Sequence, residues 1–594
     1  MNPKPVIIIG AGPAGLTAAY ALCKAGIGSI VLEKDQAVGG ISRTANYKGY
    51  YFDIGGHRFF TKVEAVEDIW REVLGENLLR RNRLSRIYYN KKLFYYPLRP
   101  LNALLGLGPW KSILIAASYL LARLRPSKQE DTFEQWVSNR FGKRLFEIFF
   151  KTYTEKVWGI PCNEISAEWA AQRVRGLSLL TALKNSIIRD QNHKGKKKVI
   201  KTLIDEFDYP KYGPGMMWQA MVDIVQRHGS QVCLGKEVEG IRWSGSRIEA
   251  IEVRGNGQPE LIYGSDFISS MPIREALQKF KPEIPKEVLD AANDLKYRDF
   301  LTVALIVGKP NLFPDTWLYI HDPDVKVGRI QNFKNWSPFM VPDPDKTCLG
   351  LEYFCFEGDS LWNMPDDELI EIGRQELETL GLAGGNEVED GTVVRMPKAY
   401  PIYDSTYRKS LDTVRQFLKR FDNLQPVGRN GMHKYNNQDH SMLTGLFSAE
   451  NILGANHDLW AINTEQEYQE GIAMEPGEDA ALDKLLPVVF SKMDKLGLAI
   501  ATGSVCGLLI FLATIWLVIK GGVANFYLQL LSQYFLGYTV TVKGAFIGAA
   551  YGSSWGFLFG WFFAYLRNFF MAYYIYRIRR KTEWLTFRDF LDRF

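Results

Sequence analysis

The pattern of hydrophobic and polar positions predicts a strand, a helix and a second strand at the start of the chain. Val6-Ile7-Ile8-Ile9 is an unbroken β-branched run, which is typical of a strand buried on both faces. The alanine-rich stretch Leu16–Ala25 predicts a helix, and Ser29–Leu32 predicts a second strand. This order predicts a βαβ unit, in which the two strands run parallel and the helix covers the sheet.

A second pattern lies at the C-terminal end, where two long runs carry no charge. Leu496–Ile519 has 24 residues and Gly544–Leu566 has 23. A helix as long as the first run measures about 36 Å at ~1.5 Å per residue, which is enough to cross a bilayer core. We therefore predict an α-helical membrane domain over residues 491–594, with two spans at about 496–519 and 544–566.

Flanking charges predict the topology of this tail. Lysines and arginines lie outside both runs, whereas the intervening loop holds only Lys520 and Lys543. The positive-inside rule then places both termini and the large N-terminal part in the cytoplasm of a two-span protein of the cytoplasmic membrane. The second run has a glycine every fourth residue from Gly544 to Gly560. This glycine face suits close helix packing, against either the first span or another copy of the chain in a homo-oligomer.

Composition narrows the class of protein. The six cysteines are scattered and form no CxxC pair, which argues against a zinc ribbon, an iron–sulfur cluster and a disulfide scaffold. We predict no metal site, and the unpaired cysteines fit a reducing compartment. The net charge of +6 is modest, so we expect no nucleic-acid partner. With 46% hydrophobic and 23% charged residues, the chain is not disordered as a whole.

The loop between the first strand and the first helix predicts a dinucleotide site. Gly10-Ala11-Gly12-Pro13-Ala14-Gly15 fits GxGxxG, in which the glycines allow a tight turn and the approach of a pyrophosphate to the helix N-terminus. Glu33 ends the second strand, where an acid can bind the ribose hydroxyls. An acid at this position favours FAD or NAD over NADP.

A second glycine motif separates FAD from NAD. Gly39-Gly40-Ile41-Ser42-Arg43-Thr44 resembles the GGxxxT segment of FAD enzymes of the glutathione-reductase and amine-oxidase type. The resemblance implies that Gly39 and Gly40 lie against the FAD pyrophosphate and that Arg43 lies near the flavin. Lys236-Glu237-Val238 resembles the strand whose valine backbone meets the adenine. We therefore expect an α/β fold with a Rossmann-like FAD-binding module over residues 1–490. Its core comes from about 1–90, 215–275 and 425–475, with inserted helical and sheet substrate regions.

Four further blocks resemble the UDP-galactopyranose mutase family: Asp53–Phe60 (GxHxF), Tyr153–Gly159 (YTxKxWG), Gln172–Arg175, and Gly428–Asp439 with its GR, KY and D. The resemblance implies that His57 lies beside the isoalloxazine, that Tyr153 stacks on a uracil and that Trp158 lines the nucleotide site. It also implies that Arg175, Arg429 and Tyr435 bind a substrate diphosphate and that Asp439 contacts the cofactor. The chain departs from the family at Gln438, which replaces a methionine.

The arginines suit such a substrate on chemical grounds as well. Arg175, Arg298, Arg329 and Arg429 fall in segments that could converge on one cleft, and a guanidinium offers a planar, always charged fork for phosphate. The sequence shows no GxSxG, no HExxH and no cysteine–histidine motif for a protein nucleophile. The chemistry is therefore expected to be that of the flavin.

These observations favour a membrane-tethered, flavin-dependent sugar mutase. The resemblance implies interconversion of pyranose and furanose forms of a nucleotide- or polyprenyl-phosphate-linked sugar on reduced FAD, with NAD(P)H as a possible reductant and membrane lipids as partners. The alternative is an FAD-dependent oxidoreductase, similar to amine oxidase, protoporphyrinogen oxidase or a desaturase, that acts on a lipophilic substrate. The apolar stretch Leu101–Leu124 could line its entry. A third reading is an assembly protein that keeps FAD without turnover. The lysine-rich stretch Lys194–Lys201 fits a solvated loop, or contact with anionic lipid or a diphosphate.

Overall fold

The computed structural model describes residues 4–96, 100–127, 130–167, 206–254, 259–463, 493–520 and 526–591. The chain divides into two compact units, residues 1–472 and 473–594. The first unit has the mixed α/β fold expected of an FAD-dependent enzyme, and the second is helical. Arg175 and the lysine-rich stretch 194–201 lie outside the described residues.

A five-stranded parallel sheet forms the centre of the first unit. Across the sheet the strands are Leu424–Pro426, Phe267–Ser269, Val6–Ile9, Ser29–Leu32 and Gln231–Cys233. The run Val6–Ile9 is fully buried in the middle, because helices and a second sheet cover both faces. The predicted strand–helix–strand unit is therefore present, with its helix over Pro13–Lys24, called here the nucleotide helix.

Two helices pack on the nucleotide helix and complete one layer of the core. These are Gln438–Ile452 and Gly215–Arg227. The first comes so close that a Cβ at Gly445 would lie 2.1 Å from the carbonyl oxygen of Ala14. This close approach brings the C-terminal motif of the unit onto the N-terminal motif. Helix Glu64–Leu74 adds an aromatic contact, with Phe59 stacked on its Trp70 at 4.1 Å.

Two further sheets build the substrate side of the unit. The larger has seven strands in the order Val388–Pro401, Tyr297–Val307, Thr347–Cys355, Arg329–Asn332, Trp317–Ile320, Ser85–Tyr89 and Lys92–Tyr95. The smaller has Glu260–Tyr263, Arg247–Val253, Val238–Ser244 and Phe280–Lys281. Two antiparallel pairs complete the unit: Thr44–Tyr47 forms a hairpin with Tyr50–Asp53, and Leu78–Asn82 pairs with the distant strand Glu206–Pro210.

The other α-helices lie mostly around the large sheet. They are Pro100–Leu107, Pro109–Leu124, Phe133–Phe141, Lys143–Phe146, Thr152–Trp158, Ile273–Gln278, Lys286–Asp294, Phe333–Trp336, Asp366–Thr379 and Tyr407–Leu418. Helix Thr152–Trp158, called here the wall helix, carries the predicted substrate residues Tyr153 and Trp158.

In the residues that the structure describes, the second unit has two long helices, Lys495–Ile519 and Val542–Leu591, with the short helix Phe526–Gln529 between them along the chain. The glycine face of the second helix packs on the first. A Cβ at Gly556 would lie 2.7 Å from the carbonyl oxygen of Thr502, and Thr502 Oγ1 donates a hydrogen bond to the carbonyl oxygen of Gly556 at 2.8 Å. The sequence left two partners open for this glycine face, the first span or another copy of the chain. In the structure the face packs against the first helix of the same chain.

Only part of the predicted membrane tail is supported. Among the described residues, Lys495–Ile519 is the one helix that is long and apolar enough to cross a bilayer. The second predicted span, 544–566, lies inside helix Val542–Leu591, which does not reach the same hydropathy because glycine, serine, tryptophan and tyrosine dilute its apolar residues. The two-span hairpin and its topology stay predictions.

Candidate functional site

The GxGxxG loop lies at the carboxyl end of the central strand. A Cβ at Gly10 would lie 2.2 Å from Ser270 Oγ, and one at Gly15 would lie 2.0 Å from the carbonyl oxygen of Gly10. These two glycines are therefore required by the packing of the loop itself. The first backbone bond of the nucleotide helix runs from Leu16 N to the carbonyl oxygen of Gly12 at 3.0 Å. The N–H groups ahead of it point out of the helix end, where they suit an anion.

Gly12 and Gly40 face each other across an open slot. A Cβ at Gly12 would meet only Gly40 Cα, at 3.9 Å, and a Cβ at Gly40 would meet only Gly12 Cα, at 3.4 Å. The Gly39 amide holds the second glycine loop on the first by donating to the carbonyl oxygen of Ala11 at 2.8 Å. This slot between two backbones is a cradle that any side chain would fill, and it fits the FAD pyrophosphate.

Glu33 is fixed at the end of the second strand. Its Oε2 accepts a hydrogen bond from the Ala11 amide at 2.8 Å, and its Oε1 accepts one from the Asp35 amide at 3.0 Å. A carboxylate oxygen has more than one lone pair, so both oxygens can still accept a ribose hydroxyl. The acid that the sequence assigned to the ribose is thus tied to the glycine loop that would hold the pyrophosphate.

The other predicted cofactor residues, Arg43, Val238 and Asp439, have different surroundings. Arg43 Nη1 pairs with Asp35 Oδ2 at 2.7 Å, so its charge is partly neutralised. Val238 begins its strand, and its carbonyl oxygen accepts a hydrogen bond from Lys279 Nζ at 2.5 Å. Asp439 is buried in the first turn of helix Gln438–Ile452. None of these contacts tests a role in FAD binding, which stays a prediction for each residue.

His57 is held beside the second glycine motif and helix Gln438–Ile452. Its Nε2 lies 2.9 Å from the carbonyl oxygen of Ile41, and the carbonyl oxygen of His57 accepts a hydrogen bond from Gln438 Nε2 at 3.5 Å. Burial, with Arg429 and Arg329 nearby, lowers the pKa of His57 to about 3. The imidazole is therefore neutral near pH 7, and an Nε2–H that donates to Ile41 fixes its tautomer.

A buried carboxyl supports the chain just before His57. Asp53 accepts hydrogen bonds from Thr44 Oγ1 at 2.9 Å and from the Tyr209 hydroxyl at 2.5 Å. The Gly215 amide in turn donates to Thr44 Oγ1 at 3.0 Å. Burial raises the pKa of Asp53 to about 7, although both hydrogen bonds oppose the shift.

This raised pKa predicts that the contribution of Asp53 to stability falls as pH rises. The folded protein holds the Asp53 proton up to about pH 7, whereas the unfolded chain releases it near 3.8. The contribution of Asp53 should therefore fall by about 2–3 kcal/mol between about pH 5 and pH 8, since one pKa unit is worth ~1.4 kcal/mol. Buried histidines with lowered pKa values have the opposite pH dependence, so the measurement is the difference in unfolding free energy between the parent and Asp53→Asn at both pH values. The parent should lose about 2–3 kcal/mol relative to the variant, and a difference that is the same at both pH values would contradict the assignment.

Arg429 lies on an aromatic wall. Its guanidinium is 4.6 Å from the Tyr435 ring and 5.5 Å from the Tyr400 ring, and these two rings stack at 5.6 Å. Trp158 is 6.3 Å from Tyr435. Arg429 Nε and Nη1 donate to the carbonyl oxygens of Asn436 and Ala399, both at 2.9 Å. The structure thus brings together three residues from two predicted motifs, Trp158, Arg429 and Tyr435, and adds Tyr400, which the sequence gave no reason to select.

Arg329 has a different partner. Its Nε lies 3.3 Å from Oε2 of Glu352, a buried carboxylate that also accepts a hydrogen bond from Gln331. The Gly56 backbone lies against this group, since a Cβ there would be 3.5 Å from Arg329 Nη1. Burial raises the pKa of Glu352, and the guanidinium opposes the shift. Sequence reasoning missed Glu352, although an acid inside the apolar strand Thr347–Cys355 was a signal.

Tyr153 stacks on His321 at 4.8 Å and meets Tyr319 edge-on at 5.5 Å. Burial, with Lys156 nearby, lowers the pKa of His321 to about 3. The Lys156 ammonium donates to the carbonyl oxygen of Asp322 at 2.5 Å, and burial lowers its pKa to about 8. One face of the Tyr153 ring is therefore taken by His321, so a stacked base would have to use the other.

Arg298 holds the wall helix in place. Its Nε donates to the carbonyl oxygen of Val157 at 3.1 Å, and its Nη2 donates to those of Lys156 and Phe354 at 3.3 and 2.8 Å. Gly159 leaves the helix with φ +66°, and a Cβ there would lie 2.6 Å from Arg298 Cζ. This geometry favours a positioning role for Arg298 over the phosphate contact predicted from the sequence, which stays untested.

Comparison with known proteins identifies a family and several relatives of this chain. Residues 13–433 match the family model described as flavin containing amine oxidoreductase. The L-amino acid oxidase Cdc18 of Crotalus durissus cumanensis is 37% identical over 113 residues, which are 17% of this chain and 23% of that protein. The L-amino-acid oxidase of Crotalus adamanteus is 41% identical over 95 residues, 16% of this chain and 17% of that one. The chain thus matches less than a quarter of the length of these curated relatives.

Two solved structures share the fold over most of the first unit. Reduced UDP-galactopyranose mutase superposes with a TM-score of 0.66 at 21% identity, covering 78% of this chain and 98% of that one. A putative protoporphyrinogen oxidase from Exiguobacterium sp. 255-15 superposes with a TM-score of 0.58 at 18% identity, covering 76% and 99%. At these identities the likeness shows the fold alone. The family match, however, covers more than half of the chain, and so this protein belongs to the flavin containing amine oxidoreductase family, which implies FAD as its cofactor.

Proposed function

We propose that this protein is an FAD-dependent oxidoreductase that oxidises a substrate carrying an anionic group, a carboxylate or a phosphate. The observation that carries the proposal is the charge of Arg429 on the aromatic wall. Its two hydrogen-bond acceptors, Asn436 and Ala399, are neutral carbonyls. Among the described residues, no carboxylate lies within ion-pair distance of it, so its positive charge is available to a substrate.

The charges around Arg429 leave the site positive. Glu352, a buried acid on the substrate side, is paired with Arg329. His57 is neutral because its pKa is lowered to about 3. The remaining charge is that of the Arg429 guanidinium. It would repel a cationic amine, whereas an anion would gain a charge-assisted hydrogen bond from it. L-amino-acid oxidases stand among the relatives by sequence, which favours oxidation over isomerisation as the reaction class.

The residues of this chain have separate tasks in such a reaction. The Gly12–Gly40 slot and Glu33 would hold FAD, which, when bound, supplies two-electron chemistry. Arg429 binds the anion and so orients the substrate, and Tyr435 and Trp158 give it a flat wall that excludes water. His57 adds no charge near the reacting atoms.

A mutase acting on a phosphate-linked sugar is the second candidate. Two observations favour it: the YTxKxWG and Arg429–Tyr435 segments meet at one wall, and reduced UDP-galactopyranose mutase shares the fold. A diphosphate would suit Arg429 as well as a carboxylate does. This reaction uses reduced FAD and causes no net redox change.

Anaerobic spectroscopy distinguishes the two functions. Oxidised enzyme is mixed with amino acids, a porphyrinogen or nucleotide sugars, and the flavin absorbance is followed before and after oxygen is admitted. The oxidoreductase proposal expects bleaching by a substrate and hydrogen peroxide on reoxidation. Isomerisation of a nucleotide or polyprenyl sugar that requires dithionite-reduced enzyme, with no substrate bleaching the oxidised form, would overturn it in favour of the mutase.

We also propose that the C-terminal helices anchor the protein in a membrane. Leu509, Trp516 and Ile519 on the first helix are 61%, 60% and 75% exposed, and Phe559 on the second is 69% exposed. A buried core helix would hide such side chains, whereas lipid would cover them. The cytoplasmic placement of both termini rests on the flanking charges alone.

A further inference from the structure

The helix Pro109–Leu124, called here the outer helix, presents its apolar side chains outward. Trp110 is 78% exposed and Leu124 is 79% exposed. The helix is nevertheless anchored, because Ile115 and Tyr119 are buried on its other side. A folded protein rarely leaves so large an apolar face in water, which marks the helix as an interaction surface.

The exposed side chains form one stripe. They are Trp110, Ile113, Leu114, Leu120, Leu121 and Leu124. At about 100° per residue they fall within an arc of roughly 120°, while Ile115 and Tyr119 point to the opposite side. Exposed Lys111 and Arg125 lie along the border of this stripe. The arrangement is that of a helix that lies flat in a membrane interface, with its apolar side in the lipid and cations at the headgroups.

The surrounding sequence is purely cationic. Residues 91–129 contain seven lysines and arginines and no aspartate or glutamate. An apolar protein partner gives no reason for such a bias, whereas the negative surface of a bilayer with anionic lipids does. Charge complementarity therefore selects a lipid surface as the occupant of the stripe.

The outer helix is fixed firmly to the substrate side of the first unit. A Cβ at Gly142 would lie 2.7 Å from the Tyr119 amide nitrogen, and the Arg144 amide donates to Ser118 Oγ at 3.1 Å. Residues 143–158 then continue without a break into the wall helix. Docking of the stripe would thus hold the substrate side of the enzyme at a membrane.

From this geometry we propose that the stripe of the outer helix is a monotopic docking site for a bilayer containing anionic lipid. The site belongs to the first unit and is separate from any anchoring by Lys495–Ile519. It goes beyond the proposed oxidoreductase function, and it holds whichever reaction the flavin performs.

The test uses the full chain, with Cys506→Ser to remove an exposed thiol. An environment-sensitive NBD probe is attached at Leu121→Cys in the stripe, or at Leu261→Cys as a matched control, because Leu261 is an exposed leucine on strand Glu260–Tyr263. The labelled proteins are reconstituted into phosphatidylcholine vesicles, with or without phosphatidylglycerol, that contain nitroxide-labelled lipid. A chain that carries only Cys506→Ser, without an added cysteine, is treated with the same probe. Its fluorescence gives the background from labelling of the half-buried Cys233.

We expect the nitroxide lipid to quench the probe at position 121 but not at position 261, and more strongly with phosphatidylglycerol. Lys111→Glu and Arg125→Glu should each weaken docking by at least about five-fold, the effect of one charge near an anionic surface. Equal quenching at the two positions would overturn the proposal. So would a blue-shifted but unquenched probe at position 121, because another protein segment would then cover the stripe.

Discussion

Replacing Gly12 by valine is expected to give a folded protein that has lost FAD. A Cβ at this position meets only Gly40 Cα at 3.9 Å, an ordinary van der Waals contact, and the backbone φ of −82° suits any residue. The side chain would instead fill the slot between the two glycine loops. If two charge-assisted hydrogen bonds to the pyrophosphate are lost, at ~1.5–3 kcal/mol each, affinity falls by about 100-fold or more.

The measurement is the flavin absorbance of purified protein, followed by FAD titration of the apoprotein. Gly28→Val is the matched control, because Gly28 is exposed at the start of the next strand with nothing within 4 Å of its Cβ position. Its FAD content should equal that of the parent. Gly15→Val should instead fail to fold, since its Cβ would lie 2.0 Å from the Gly10 carbonyl oxygen. Full FAD occupancy in Gly12→Val would refute the cradle.

The FAD cradle was predictable from the sequence because its parts are local and ordered. The GxGxxG loop, Glu33 and the second glycine pair all lie within residues 10–40. A glycine motif carries its own geometry, since other residues would collide in the turn, as the Gly10 and Gly15 contacts show. The sequence therefore indicated the FAD-type fold, which the family match confirms.

The substrate side was less predictable because its partners come from distant strands. Glu352 reaches Arg329 only through the pairing of Thr347–Cys355 with Arg329–Asn332, and Tyr400 reaches Tyr435 only through packing. Motif spacing also cannot show which arginine side chains already donate hydrogen bonds to backbone carbonyl groups. Arg298 and Arg429 both donate to backbone carbonyl groups, yet Arg298 is buried in the core, whereas Arg429 lies half-buried on the wall.

One departure from the mutase pattern, Gln438, makes a contact that the sequence could not show. Gln438 replaces a methionine, and its amide donates to the carbonyl oxygen of His57 at 3.5 Å. A methionine could not make this bond, so the two motifs are joined here by a polar contact. The contact between these two motifs therefore differs from the pattern of the resembling family.

Arg429→Gln is expected to weaken binding of anions at the candidate site by about ten- to a hundred-fold while sparing FAD. One charge-assisted hydrogen bond is lost, which costs roughly 1.5–3 kcal/mol. Glutamine keeps an N–H donor for the neighbouring carbonyl groups of Asn436 and Ala399, so the loop should survive. Benzoate and inorganic pyrophosphate serve as probes, because an anion bound beside the flavin shifts its absorbance spectrum and a titration gives the dissociation constant.

The matched control is Arg415→Gln, which removes another arginine that lies over an aromatic ring, 4.5 Å from Trp460. It should leave both dissociation constants unchanged. A second readout comes from His57, since Arg429 helps to lower its pKa to about 3 and loss of that charge should raise it. Weaker benzoate with unchanged pyrophosphate would select a carboxylate substrate, and the reverse would select a phosphate. If Arg429→Gln holds its FAD and binds both anions as tightly as the parent, the positive site proposed here does not exist.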